Sequence, residues 1–127
     1  MTTTAPEDRR HHSRITFHTS AHLDFDGLRT EVRILDLSLK GALIQLPVSH
    51  PGFAGMVDRT CRLDVSLDDE TDQIHMVAKV AHAQQDRIGL LCQEIDLDSV
   101  THLRRLVELN LGDPSLLERE LSALIAD

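Results

Sequence analysis

The sequence predicts a mainly-β protein: a six-stranded antiparallel β-barrel with C-terminal α-helices. Three observations lead there. Apolar residues recur at every second position in a series of short segments. Turn sequences rich in Gly, Pro and Asp separate these segments closely enough to favour antiparallel neighbours. After Ile95 the apolar spacing changes to that of a helix and keeps it to the end. So many short strands are best closed into a barrel, because closure removes unpaired edges.

Each element follows in order. Residues 1–8 are polar without a hydrophobic period and read as a flexible tail, leaving one domain over 9–127. Its barrel occupies about 15–95 and its helices about 98–126. Ile15, Phe17, Thr19, Ala21 and Leu23 alternate with polar residues as a half-buried first strand, and Asp24–Gly27 is a turn signal. A second strand lies near Arg29–Leu35, with Val32 and Ile34 on one face. A turn or bulge is expected over Ser38–Gly41, followed by a strand in which Ala42, Ile44 and Leu46 share a face. Pro47–Gly55 reads as a loop. Cys61, Leu63, Val65 and Leu67 give the cleanest alternation, and Asp68–Asp72 is a polar turn. Ile74–Gln84 and Arg87–Ile95 form a hairpin through Gln85-Asp86-Arg87. The next segment is a helix with Asp98 or Ser99 as its N-cap, an inner face of Leu103, Leu106, Val107 and Asn110, and Gly112 as its stop. A second helix restarts with Asp113 as N-cap and Pro114 at N1, placing Leu117, Leu121, Leu124 and Ile125 on one face.

Composition excludes several function classes. The 127 residues carry a formal net charge of -8, which argues against general binding to DNA or RNA. The two cysteines, Cys61 and Cys92, are too far apart in sequence for a zinc motif and read as small hydrophobes of a reducing compartment. No run is apolar enough to span a membrane, and the N-terminus lacks a secretory h-region, so a cytoplasmic protein is expected. His18 and His22 would lie about 13 Å apart on an extended strand, too far to share a metal. No nucleophile–base pair and no phosphate-binding P-loop is present, so no catalytic residues are assigned and an enzyme is not expected.

Two clusters remain. Arg9 to Arg14 holds three arginines and two histidines in six residues of an otherwise acidic chain. Arginine forks suit phosphates and guanine edges; taken alone, the cluster reads as a solvated basic tail. The second cluster is Asp36-Leu37-Ser38-Leu39-Lys40-Gly41. In an extended chain Asp36 and Ser38 share a face. A carboxylate there can accept from the N1–H and N2–H of a guanine, and glycine permits close backbone approach. Taken alone, this too reads as a turn with local side-chain bonds.

Together, Arg10-x-x-x-Arg14 before the first strand and Asp36-x-Ser38-x-x-Gly41 between the second and third resemble the PilZ domain, a family of bacterial receptors for cyclic di-GMP. The run from Ile95 to Leu121 is similar to the helical end of compact, single-domain members. The resemblance implies that Arg10 and Arg14 contact phosphate and guanine and that Asp36, Ser38 and Gly41 form the opposite wall. It implies that Arg9, just before the motif, favours a stacked pair of ligands, hence two molecules per monomer. His82 takes the place where close relatives carry an aromatic that lies against a guanine; a stacked ring and an ordinary, partly buried histidine both remain open readings. The implied function is a cytoplasmic, monomeric sensor with no further cofactor. Its arginine arm orders over the barrel on binding, and an unidentified downstream protein reads the changed surface. The alternative is a PilZ-like interaction module with weak or no nucleotide binding.

Overall fold

The computed structural model describes residues 20–47, 55–66 and 73–125. Six strands run β1 (Ser20–Phe25), β2 (Leu28–Ser38), β3 (Gly41–Gln45), β4 (Thr60–Ser66), β5 (Gln73–Gln84) and β6 (Arg87–Ile95). They form a closed barrel in the order β1-β2-β3-β6-β5-β4. Every neighbouring pair is antiparallel. The alternation seen in the sequence is the barrel's inside–outside pattern. Leu23, Ile44, Leu63, Ile74, Met76, Val80, Ile88 and Leu90 point inward and are at most 1% exposed. Fully burying a side chain of this size contributes about 1.5–3 kcal/mol. The first strand expected from Ile15 begins, within the described residues, at Ser20; its residues 15–19 lie outside them.

Helix α1 (Leu97–Leu111) joins the barrel core through Leu103, Leu106 and Val107. Its N-cap is Asp96, not Asp98 or Ser99: Asp96 has extended backbone and its carboxylate accepts from Ser99 N. Ser99 is instead buried inside the first turn, where its hydroxyl donates to Asp96 Oδ1 (2.6 Å) and accepts from His75 N (2.9 Å), fastening the helix to β5. Gly112 stops the helix as expected, in the left-handed region at φ 76° with its N–H on Glu108 O.

The second C-terminal helix is not continuous. Asp113 caps a 3-10 turn, Pro114–Glu118, and a separate single turn follows as α2, Leu121–Ile125. Between them Arg119 is extended (φ -60°, ψ 141°). The apolar face expected to run from Leu117 to Ile125 is therefore divided. Leu117 joins the barrel core, while Leu121 and Leu124 form a second cluster with Leu43, flanked by Leu35 and Ile125, on the barrel's outer face. Tertiary contacts of Arg119 override the helical spacing at this break.

Candidate functional site

Two β-bulges build the site. In β2, Val32 and Ile34 face the core, and a straight strand would send Asp36 and Ser38 inward after them. The β2–β3 register shifts between Ile34 and Asp36. That inserts Leu35 and reverses the parity, so Leu37 enters the core while Asp36 and Ser38 face outward. Of the turn or bulge expected over Ser38–Gly41, the turn is present at Leu39 and Lys40, and the bulge lies earlier in the chain. In β5, Ile74, Met76, Ala78 and Val80 face the core, and the register shifts between Val80 and His82. Ala83 then packs against the core and His82 leaves it.

The bulges align one row across four strands. Asp36 pairs with Leu43, Leu43 with Gly89, and Gly89 with His82. At the usual spacing of neighbouring strands the row spans about 14 Å. Gly41 begins β3 opposite Ser38, and it lies too close to Leu90 O for any Cβ to fit there. A Cβ on Gly89 would meet His82 Cβ at 3.1 Å and Ile125 Cγ2 at 3.3 Å. Both glycines let another backbone or side chain approach closely. The structure therefore brings Asp36, Ser38, Gly41 and His82 to one face. Arg9, Arg10 and Arg14 lie outside the described residues.

This face is occupied by the chain's own C-terminal segment. Arg119 Nη1 donates to Asp36 Oδ2 (2.9 Å) and Arg119 Nη2 lies 2.8 Å from Oδ1, a bidentate pair in which Asp36 is 1% exposed. Nη2 also donates to Leu37 O and Nε to Leu116 O. Ser38 Oγ donates to Arg119 O at 2.9 Å, and Leu39 N donates to Leu117 O at 2.7 Å. Leu121, Leu124 and Ile125 cover Leu43 and Gly89. Sequence reasoning missed Arg119, Leu43 and Gly89 as members of the site. Arg119 left no signal, because it falls inside a run whose spacing fits one helix.

A family model described as PilZ domain matches residues 8–109. The chain belongs to the PilZ family. PilZ domains are receptors for cyclic di-GMP and act as binding modules. The match ends ahead of Arg119 and α2, so the segment that closes over Asp36 lies beyond it. Among solved structures, the fold is similar to the PilZ domain of CeSA from a cellulose-synthesising bacterium, with 19% identity, a TM-score of 0.51, and coverage of 78% of this chain and 95% of that one. An uncharacterised Legionella protein is similar at 15% identity and a TM-score of 0.49, with the same coverages.

Proposed function

We propose that this PilZ protein is a cyclic di-GMP sensor whose ligand lies on the outer face of β2, β3, β6 and β5. The carrying observation is the pair of bulges that turn Asp36, Ser38 and His82 out onto one face. Asp36 takes the N1–H and N2–H of a guanine. Ser38 and the backbone near Gly41 serve the phosphate side, and His82 presents a ring to a base. Arg10 and Arg14 bring the charge that two phosphodiesters require, and Arg9 favours a stacked pair of ligands per monomer. Binding orders the arginine arm over the face, and a downstream protein reads the new surface. Ordering that arm costs conformational entropy, so each arginine must contribute strongly.

The occupied state of Asp36 favours a second reading, a PilZ-like interaction module that takes little or no nucleotide. Calorimetric titration with cyclic di-GMP separates the two. The sensor requires saturable binding, near two ligands per chain, by the wild-type protein or by the variants of the next section, and its loss in Arg10→Ala and in Arg14→Ala with the fold intact. Wild-type-like affinity in both variants, or no heat from the wild type and from the variants of the next section, rejects it.

A further inference from the structure

We infer that Arg119 is a built-in mimic of guanine, competing with the ligand for the carboxylate of Asp36 and so setting the affinity of the sensor. This rests on the cyclic di-GMP reading above.

A carboxylate presents two oxygens side by side. Arg119 answers them with two parallel N–H donors, at 2.9 Å to Oδ2 and 2.8 Å to Oδ1. The N1–H and N2–H of guanine are also two parallel donors on one planar edge. One carboxylate cannot take both forks at once. Oδ1 already accepts from Leu37 N at 2.9 Å, so little acceptor capacity is left over. The rest of the segment blocks the same face: Ser38 Oγ is committed to Arg119 O, and Ile125 lies against Gly89, the neighbour of His82. Every described residue assigned to the ligand is either bonded to this segment or next to it.

The competitor is also built to leave. Helix α2 is a single turn of five residues, too short to hold its shape without the barrel. Upstream, Leu117 is 3% exposed in the main core and keeps its place when the residues after it detach. Arg119 is extended, so it breaks from the face without unwinding a helix.

The mimicry makes a prediction that a plain steric cover does not. Adenine lacks the donor–donor edge: its N1 is an acceptor and it has no 2-amino group. Removing Arg119 should therefore favour cyclic di-GMP selectively. Titrate wild type, Arg119→Ala and Arg119→Lys with cyclic di-GMP and with cyclic di-AMP, checking each fold by circular dichroism. Arg119→Ala should bind cyclic di-GMP about tenfold more tightly, the scale of one charge-assisted hydrogen bond, with no gain toward cyclic di-AMP. Arg119→Lys keeps the charge without the fork and should gain less than the alanine variant. It carries the test if the alanine variant does not fold, and unchanged affinity in it then overturns the inference.

Unchanged or weaker cyclic di-GMP binding by a folded Arg119→Ala also overturns the inference while leaving the sensor intact. Equal gains for both dinucleotides reduce the segment to a steric cover. No binding by wild type but binding by Arg119→Ala supports the inference. No binding by any of them rejects the sensor and the mimic together.

Discussion

Two of the barrel's aspartates, Asp64 and Asp36, both have arginine partners but differ in where those partners come from. Asp64 on β4 is held by groups of the barrel itself. Arg29 Nη1 lies at 3.1 Å, Arg62 Nη2 at 3.3 Å and His75 Nδ1 at 2.7 Å. Asp24 joins through the same two arginines. Asp36 on β2 is held by Arg119, 83 residues along the chain and outside the sheet. The partners of Asp64 belong to strands β2, β4 and β5, so they stay beside it as long as the barrel is closed. Dislodging the partner of Asp36 requires only the last described residues to lift. Ion pairs of similar chemistry are therefore placed differently: one set links strands of the sheet, and the other joins the sheet to a segment outside it.

Substitutions at the two aspartates sharpen the contrast. The largest effect belongs to Asp36→Ala, which should lower cyclic di-GMP affinity by about a hundredfold or more, the scale of losing a bidentate partner at a charged base contact. Asp64→Ala should leave binding unchanged and lower stability by about 1–3 kcal/mol, from the lost charge-assisted bonds, readable as a lower melting temperature. A binding defect in Asp64→Ala with the fold intact would erase the distinction between the faces.

Acid provides the next measure. Partial burial disfavours the Asp64 carboxylate, but hydrogen bonds from His75 and Arg29 and the charges of Arg62 and His75 outweigh it and lower its pKa. A carboxyl depressed in the folded state contributes stability that is present above its unfolded value, near pH 4, and lost as pH falls through the folded value. Wild-type stability should fall with acid below about pH 4, and Asp64→Asn should make that fall shallower. The pH series by chemical denaturation reads both; identical slopes would remove Asp64 from the account.

The smallest effect is at Asp96, whose pKa is lowered by the side-chain and backbone hydrogen bonds from Ser99. Asp96→Ala should lower the melting temperature by less than Asp64→Ala does, and hydrogen exchange should show the loss in the first turn of α1.

Period two exposed β4, β5 and β6 in the sequence nearly to the residue, because each strand has one buried face. That Asp36 and Ser38 share one face was legible through the same rule. What sequence reasoning missed has a physical cause in each case. The bulge at Leu35 leaves no mark in composition, yet Asp36, Ser38 and His82 all stand where a straight strand would bury them. Polar residues in inward register were the available sign that the strands must bend. The N-cap of α1 moved to Asp96 because Ser99 serves β5 instead. The break at Arg119 was invisible because its cause, a carboxylate 83 residues away, is not local.

Leu117 gives the C-terminal segment a property of another kind. Anchored in the core, it leaves at most the residues after it free to detach. A group tethered by so short a stretch stays at an effective concentration on the order of millimolar. If Arg119 competes with guanine, its concentration beside Asp36 does not change with dilution or with how much protein a cell makes. The level of ligand at which the face opens is then written into the chain itself.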